Sequence, residues 1–426
     1  MIAALRWTWR SVGITVPKLA AVLRHRLFGV VLVAALLAMA AGLPAAGATG
    51  ASRSAARVSR LPAGFVGIVV DEPVWPDPWI DLNGQMDKMA ASGLESVRVV
   101  FDWSHAQPYR HWKDVPKDQH SNFVNVGGVP TNFSSMDQIV TAASQHGLRV
   151  LPVVLNAPAW DGEHNQHAVV DIPKASGPYA AFVKALVRRY GPNGTLWQFL
   201  GNRPHVPVTM WQIWNEPNIL AFWPDQPFQT RYVGLLRAAS KAIKSADPSA
   251  RIVLAGMPNY SWLALGRVYK VAGARALFDV VAVHPYTKDP QGVLTILGYV
   301  RRVMDQNGDQ RKPIIADEIS WPSSVGKTNH DTGYDFATTE SGQAKDLRAV
   351  LPMLVASRKR LNLLGFYYYD WAGLERHNAL AFEFAGLFRV QDGKFVAKPA
   401  YQAYKQRALA MEGCSSKGTT VSSCQP

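Results

Sequence analysis

Short apolar segments rich in β-branched residues alternate with segments of helical periodicity eight times between residues 61 and 412. The apolar segments are hydrophobic almost throughout, as expected of parallel strands that are buried on both faces. The predicted strands are Phe65–Val70, Ser96–Trp103, Leu148–Leu155, Val208–Trp214, Arg251–Ala255, Phe278–Val283, Pro313–Ala316 and Leu364–Tyr369. The predicted helices are Leu82–Ser92, Met136–His146, Pro178–Tyr190, Phe228–Ser245, Trp262–Ala272, Val293–Gln306, Gly342–Arg360 and Ala400–Ala408. Eight such repeats predict an α/β fold of the (β/α)₈ (TIM) barrel type.

An open, doubly wound sheet is the alternative arrangement of the same elements. The turn after the first strand lacks a glycine-rich phosphate loop, and no GxxxxGK[ST] motif occurs in the chain. Nucleotide-binding proteins of that class would carry one of these motifs. The segment at 61–412 is longer than the ~250 residues of a typical barrel, so long loops are expected to decorate a single domain.

The first 48 residues have the three parts of an export signal. Residues 1–26 are basic, an apolar run of 16 residues extends from Phe28 to Leu43, and small residues follow at positions 46–48. This order predicts a secretory signal peptide, with residues 49–60 as a flexible leader. An uncleaved N-terminal membrane anchor is the alternative, although the run is short of the ~20 residues that span a bilayer. Both alternatives place the remaining chain outside the cytoplasm.

The C-terminal tail at 413–426 is rich in Ser, Thr and Gly and contains the only two cysteines, Cys414 and Cys424. In an oxidising compartment, these cysteines are expected to form a disulfide that closes a small loop. A metal site needs more ligands than this tail contains. We predict neither a metal nor a cofactor for this protein.

The net charge of the chain is +14, of which five basic residues fall within the first 48 residues. The densest remaining cluster is Arg358-Lys359-Arg360, and Arg188-Arg189 and Arg301-Arg302 are similar pairs. They lie near the ends of predicted helices, where cations interact favourably with the helix dipole. No nucleic-acid-binding module accompanies the charge, so nucleic acid is not an expected partner. An affinity for anionic polymers of the cell envelope is compatible with it.

Two of the predicted strands end in carboxylates. The fourth strand runs into Asn215-Glu216-Pro217, and the seventh runs into Asp317-Glu318. In a (β/α)₈ barrel, the residues at the carboxyl ends of the strands form the active site. Two facing carboxylates suffice to cleave a glycosidic bond, because one protonates the leaving oxygen while the other attacks or activates water. Asp317 is expected to face away from Glu318, because successive strand residues point to opposite sides.

Asn-Glu-Pro after strand four, together with Glu after strand seven, resembles clan A of the retaining glycoside hydrolases over essentially all of residues 61–410. The run Trp214-Asn215-Glu216-Pro217-Asn218 and the triplet His284-Pro285-Tyr286 are most similar to glycoside hydrolase family 39, with family 5 as the close rival. The resemblance implies that Glu216 is the general acid/base and Glu318 the nucleophile.

The same resemblance implies roles for five further residues. Asn215 would bind the sugar 2-hydroxyl, Arg98 would contact Glu318 and keep it ionised, and His284 and Tyr286 would line the site around the nucleophile. Trp371 would form the floor of a sugar subsite. Independently of the resemblance, strand-end positions suggest sugar contacts by Trp321 and Asn156, because aromatic faces pack well on sugars and amides bind hydroxyls.

The sequence therefore predicts a secreted, monomeric retaining glycosidase that acts on a β-linked oligo- or polysaccharide. Two alternatives stay open: a transglycosylase of the same fold, and a non-catalytic glycan-binding protein of the cell envelope. The sugar, the linkage and the choice between endo and exo action depend on loop shapes that residue patterns do not specify.

Overall fold

Eight buried strands, each followed by a helix, make up most of the structure, which is a computed structural model. The strands are β1 Val66–Val70, β2 Ser96–Asp102, β3 Arg149–Leu155, β4 Met210–Ile213, β5 Arg251–Leu254, β6 Val281–Val283, β7 Ile314–Ile319 and β8 Leu363–Tyr368. The helices that follow them are α1 Leu82–Ala91, α2 Ser134–Gln145, α3 Ser176–Tyr190, α4 Gln229–Ala246, α5 Ser261–Tyr269, α6 Pro290–Gln306, α7 Glu340–Leu361 and α8 Pro399–Glu412. Every predicted strand and helix is present, with bounds that differ by a few residues.

The structure describes residues 61–71, 79–165, 168–328, 335–376, 379–422 and 424. The predicted signal peptide and leader lie outside these residues. None of the helices in the described ranges combines the length and the apolar character needed to cross a membrane.

All eight strands are parallel and follow the order β5-β4-β3-β2-β1-β8-β7-β6. The two end strands meet as well, through the bridges Val253–Val280 and Met257–Val283. Backbone hydrogen bonds run across this seam, for example from Leu254 N to Val280 O at 2.9 Å. The sheet is therefore a nearly closed barrel, which confirms the (β/α)₈ prediction.

The barrel interior has an apolar layer with charged groups beside it. Its apolar side chains form one cluster, made of Val69, Leu151, Val253, Val280, Ala282, Ile315 and Tyr367. Arg98 pairs in register with Val69 and Leu151, so its side chain also points into the barrel. A buried guanidinium needs hydrogen-bonding partners, and these come from the carboxyl ends of the strands.

Strand β7 contains a bulge just before its end. Ala316 pairs with Phe366 and Ile319 pairs with Tyr368, so β7 has one residue more than β8 between these two pairs. A bulge interrupts the strict alternation of side chains. Consecutive residues of β7, Asp317 and Glu318, can therefore both reach the interior of the barrel.

The loops contain further elements that were not predicted, among them a hairpin, a short helix and a small sheet. A hairpin of Val124–Val126 and Val129–Thr131 follows β2, and a short helix at Thr195–Leu200 follows α3. A small three-stranded sheet in the loop after β8 consists of Ala372–Gly373, Phe388–Gln391 and Lys394–Ala397. These elements account for part of the excess length over a simple barrel.

The C-terminal tail is closed by a disulfide between Cys414 and Cys424, which are ten residues apart. Val421 N donates a hydrogen bond to the carbonyl oxygen of His146 at 2.7 Å, just before β3 begins. The tail thus packs at the amino-terminal end of the barrel.

Candidate active site

Arg98 of β2 organises the carboxyl end of the barrel. Its guanidinium is buried and donates hydrogen bonds to Glu318 Oε1 at 2.7 Å, Asn215 Oδ1 at 2.7 Å and Gln212 Oε1 at 2.9 Å. One side chain thereby connects β2, β4 and β7. The predicted contact between Arg98 and Glu318 is present.

Glu318 has a second donor on its other carboxylate oxygen. The hydroxyl of Tyr286 donates to Glu318 Oε2 at 2.5 Å. The Tyr286 ring is stacked on Phe336 and meets the edge of Phe382, with centroids 5.2 Å apart in each pair. Because both oxygens accept a hydrogen bond and the donors are themselves packed, the orientation of the Glu318 carboxylate is well defined.

His284 lies between the three carboxylates of the site. Its Nδ1 is 2.7 Å from Glu216 Oε1 and 3.3 Å from Glu318 Oε2, and its Nε2 is 3.3 Å from Asp317 Oδ2. One oxygen each of Glu216 and Glu318 and a ring nitrogen of His284 lie within 4.8 Å of one another. The structure therefore brings together Glu216, Glu318, Arg98, Asn215, His284 and Tyr286, as predicted.

Glu216 follows β4 in a left-handed backbone conformation, with φ at 44°, and Trp214 before it also has a positive φ of 72°. Non-glycine residues rarely adopt this conformation, and they do so mainly where the surroundings hold them there. Here Glu216 N donates to the carbonyl oxygen of Gly256 at 2.9 Å, and Trp214 N donates to Val154 O at 3.1 Å. These bonds place the Glu216 side chain at the barrel mouth.

Gly256, just after β5, lies very close to the polar cluster. A Cβ atom at this position would be 2.0 Å from His284 Nε2 and 2.6 Å from Asp317 Oδ2. The backbone can approach these two side chains only because residue 256 has no side chain.

Burial and neighbouring charges shift the pKa values of Glu216, His284 and Asp317 in different directions. Burial raises the pKa of Glu216, and hydrogen bonding to His284 offsets only part of that rise. Burial alone would lower the pKa of His284, but the charges of Glu318 and Asp317 outweigh it and raise this pKa to about 10. Burial would raise the pKa of Asp317, yet His284 and Arg98 hold it below its usual value. At neutral pH the cluster therefore contains an imidazolium and an ionised Asp317.

The group of Glu216, His284 and Glu318 has the composition of a metal site. Both ring nitrogens of His284 lie within hydrogen-bond distance of a carboxylate oxygen, Nδ1 beside Glu216 and Nε2 beside Asp317, which suits two N–H donors rather than a metal ligand. Two cations, Arg98 and His284, already bond to the carboxylates of the cluster. The donor set thus favours proton chemistry over metal binding.

Trp371 does not form the floor of a sugar subsite, and this prediction was wrong. Its ring is completely buried, its indole N–H donates to Gln85 Oε1 at 3.0 Å, and it packs against Phe388 and Tyr401. The prediction failed because proximity to a strand end does not determine the direction of a side chain. Two residues earlier, Tyr369 is only partly buried, and its hydroxyl donates to Asp71 Oδ2 at 3.3 Å.

Trp321 and Asn156 are also not in contact with the carboxylate cluster. The burial of Trp321 contradicts its predicted sugar contact, whereas the sugar contact of the partly buried Asn156 stays a prediction. Trp321 is buried, and its indole N–H donates to Thr287 O at 2.9 Å. Asn156 has φ at 67° and donates to Asp102 Oδ2 at 2.9 Å, while its own oxygen accepts from Asp171 N at 3.1 Å. Both side chains hold loops in place.

Asp317 and Gln212 belong to the site although the sequence did not indicate it. Gln212 Nε2 donates to Asp317 Oδ2 at 2.7 Å, and Arg98 Nε lies 3.3 Å from the same oxygen. The prediction that Asp317 faces away from Glu318 was wrong because the bulge in β7 breaks the alternation. Gln212 could have been recognised from the sequence as a polar residue within an otherwise apolar strand.

The family model of cellulase (glycosyl hydrolase family 5) matches residues 63–337. The chain belongs to this family. It is thus a glycoside hydrolase of clan A, and the family that matches is the one that the sequence resemblance ranked second. No curated protein sequence matches the chain significantly.

Solved structures of low sequence identity share the fold of this family 5 protein. A glucosidase from Croceicoccus marinus is 16% identical, with a TM-score of 0.58 over 82% of this chain and 68% of its own. A monomeric β-xylosidase from Caulobacter crescentus is 17% identical, with a TM-score of 0.57 over 81% of this chain and 68% of its own. A family 39 enzyme from Xanthomonas axonopodis pv. citri is 16% identical, with a TM-score of 0.57 over 82% and 67%.

Proposed function

We propose that the protein is a retaining glycosidase of β-linked glycans, with Glu216 as general acid/base and Glu318 as nucleophile. The observation that carries the proposal is the facing pair of buried carboxylates, whose nearest oxygens lie within 4.8 Å. Retaining glycosidases keep their two carboxyl groups ~5–5.5 Å apart, whereas inverting enzymes need ~6.5–9.5 Å to admit a water molecule.

In the first step, a carboxylate oxygen of Glu318 attacks the anomeric carbon as the bond to the leaving oxygen breaks. That oxygen takes the proton of Glu216, so the leaving group departs as a neutral alcohol. The raised pKa of Glu216 supports this role, because a general acid must hold its proton near neutral pH. Arg98 and Tyr286 donate to the two oxygens of Glu318 and direct the attacking lone pair.

In the second step, water attacks the anomeric carbon of the glycosyl-enzyme and gives a proton to Glu216. The bond to Glu318 breaks and releases its carboxylate. Once Glu318 is esterified, its negative charge no longer raises the pKa of Glu216. Glu216 therefore becomes a better base in this step.

Asn215 is the proposed ligand of the sugar 2-hydroxyl. Its carbonyl oxygen accepts a hydrogen bond from Arg98 at 2.7 Å, which leaves its amide N–H groups as donors. Arg98 thus orients the nucleophile and its neighbouring amide together.

Secretion and a monomeric state are part of the proposal. The N-terminal signal sequence supports export, and the Cys414–Cys424 disulfide suits an oxidising compartment. The carbohydrate substrate then lies outside the cytoplasm, as an oligo- or polysaccharide.

The test compares the parent protein with Glu318→Gln on a panel of aryl β-glycosides and plant and bacterial-envelope polysaccharides. We expect the parent to release new reducing ends and Glu318→Gln to lose ~10³-fold or more of that rate. A 2-deoxy-2-fluoro glycoside of the responding sugar should add its glycosyl mass to a peptide that contains Glu318.

Glu163→Gln is the matched control, because Glu163 is an exposed glutamate in the loop after β3 that pairs with Arg231. It should keep the parental rate. Equal release by the parent and Glu318→Gln would reject Glu318 as the nucleophile, and accumulation of longer glycans instead of hydrolysis products would favour the transglycosylase.

A further inference from the structure

A cavity of about 620 Å³ lies on the flank of the barrel, and none of its lining residues belongs to the carboxylate cluster. The hairpin after β2 forms one side of it, and the outer face of α3 forms another. Gln107, Arg110 and Trp160, from the loops after β2 and β3, also line it, together with Phe133 and Thr195. The volume falls within the range of small-molecule sites.

The charge of this cavity has a single sign. Arg110, Lys184, Arg188 and Arg189 line it, and none of its lining residues is an aspartate or a glutamate. Arg189 is neutralised by Asp137, to which it donates two hydrogen bonds. In the part of the chain that the structure describes, the other three cations form no ion pair. The buried Asp161 interacts electrostatically with Arg110 but does not line the cavity, so the lining has an excess of positive charge.

Two of the cations are held in place by aromatic rings. The indole N–H of Trp160 donates to Gln107 O at 2.8 Å, and the Arg110 guanidinium lies 4.9 Å from the centre of this ring. Arg189 is positioned in the same way, 4.8 Å from the ring centre of Phe133. Stacking of this kind fixes the guanidinium plane of Arg110 while leaving its N–H groups available to a ligand, whereas Arg189 already donates to Asp137.

The remaining lining of the cavity is mostly apolar, with Gln107, Asn125 and Thr195 as its uncharged polar residues. Val124, Val126 and Val129 of the hairpin face Ala181 and Ala185 of α3 across it. A ligand that fits must combine apolar surface with negative charge. An acidic sugar meets both needs, because its ring presents C–H groups and its edge presents an anionic group.

We propose that this cavity binds an acidic polysaccharide, whose anionic groups pair with Arg110, Lys184 and Arg188. Nucleic acid fits less well, because its affinity comes from many phosphate contacts along an extended basic surface rather than one cavity. The inference rests on the proposed function in one respect, that the natural ligand is a glycan. The substrate is then an acidic polysaccharide that binds the enzyme both at the carboxylate cluster and in this cavity.

The test measures binding of oligogalacturonate to the full chain carrying Glu318→Gln, so that no probe is consumed. The cavity variant is Lys184→Glu with Arg188→Glu, which reverses two cations on the surface of α3. The matched control is Lys405→Glu with Arg407→Glu, two cations of similar exposure on α8. Methyl-esterified oligogalacturonate is the neutral probe, dextran sulfate the sulfate-bearing probe, and a single-stranded oligonucleotide the nucleic-acid probe.

We expect the cavity variant to bind oligogalacturonate or dextran sulfate at least ~10-fold more weakly than the parent, and the control variant to bind them as the parent does. Methyl-esterified oligogalacturonate should bind weakly to the parent and to both variants. Loss with oligogalacturonate would assign carboxylate groups to the ligand, and loss with dextran sulfate alone would assign ester anions. Equal losses of affinity in the cavity and control variants would mean that binding depends only on net charge, which would overturn the proposed site. Tighter, cavity-dependent binding of the oligonucleotide would overturn the glycan assignment.

Two measurements separate this inference from the proposed function. Thermal unfolding should show that both charge variants fold like the parent. In chains that retain Glu318, the cavity variant should hydrolyse a small neutral aryl glycoside at the parental rate. If the parent hydrolysed no glycoside while only the cavity variant lost binding of the anionic glycan, the proposed function would be rejected and the cavity site would be supported.

Discussion

Among the described residues, Arg98 and His284 are the two cations that bond to the three carboxylates at the barrel mouth. Three carboxyl groups beside two cations form a neutral cluster only if one carboxyl group keeps its proton, and the raised pKa of Glu216 makes it that group. Burial disfavours an additional charge in such a site. The cluster therefore holds a proton on the residue that faces the leaving group in the proposed mechanism.

This proton predicts how activity depends on pH. For a glycoside with a poor leaving group, kcat/KM should fall as the pH rises through the raised pKa of Glu216, because the acid is then lost. Glu216→Gln should lower kcat/KM by ~10²–10⁴-fold and remove this dependence. A 2,4-dinitrophenyl glycoside, which needs no protonation, should lose far less. Similar losses with both substrates would show that Glu216 is not the acid.

Asp317 is predicted to stabilise the protein although it is not placed in contact with the substrate. The pKa of Asp317 is lower in the folded than in the unfolded chain. Its contribution to the free energy of unfolding is therefore complete above the unfolded pKa and disappears as the pH falls through the folded pKa. Asp317→Asn should lower the free energy of unfolding at pH 7 by ~3–5 kcal/mol, because Arg98 and His284 lose a buried partner. Urea unfolding at pH 7 and at pH 3 measures both effects.

The control for Asp317 is Asp305→Asn. Asp305 pairs with Arg301 at 2.8 Å on the surface of α6, where its side chain is 46% exposed. Arg301 is buried, but without Asp305 it keeps its hydrogen bonds to the carbonyl oxygens of Lys312 and Asp309. The loss of this solvent-facing partner should therefore cost ~1 kcal/mol or less. If both variants were equally stable, the buried network around Asp317 would contribute nothing specific.

At the scale of single elements, hydrophobic patterning was sufficient to predict the barrel. Each strand is buried on both faces and each helix buries one, so the alternation of the two patterns specifies the order of elements. Glu216 and Glu318 were predictable for the same reason, since strand ends converge at one mouth. The bulge in β7 was not predictable, because it arises from pairing with β8, a contact between distant parts of the chain.

Side-chain direction at strand ends was the other feature that patterning did not predict. Whether an aromatic residue lines the cleft or the core depends on the loop that covers it. After β8, the small sheet in the loop covers Trp371 with Phe388, while Tyr369 stays partly exposed. Trp321 is buried in the same manner after β7.

Replacement of Trp371 should consequently affect stability and not substrate binding. Trp371→Phe loses volume in the core and the hydrogen bond to Gln85, so the free energy of unfolding should fall by ~1–3 kcal/mol while KM stays within about two-fold of the parent. Trp79→Phe is the control, because Trp79 is 43% exposed. A large rise in KM without loss of stability would restore the subsite assignment.

On the scale of the whole molecule, the two ends of the barrel have different tasks. The carboxyl end carries the polar cluster, and the amino end is covered by the tail beyond α8. There Lys417 is buried and donates to Glu412 at 2.5 Å, and Glu95 accepts from the backbone N–H groups of Gly64 and Phe65 just before β1. In barrels of this type, the amino end serves stability while the carboxyl end serves catalysis.

Removal of the disulfide should therefore separate stability from activity. Cys414→Ser with Cys424→Ser frees a loop of ten residues, which should lower the free energy of unfolding by up to ~3 kcal/mol in the chain-entropy view. Because the tail contacts His146 and Val421 lies against Gly147 at the amino end, kcat and KM at 25 °C should not change. Dithiothreitol should reproduce the loss in the parent and have no effect on the double variant. A fall in kcat at unchanged stability would instead mean that the two ends of the barrel are coupled through the strands.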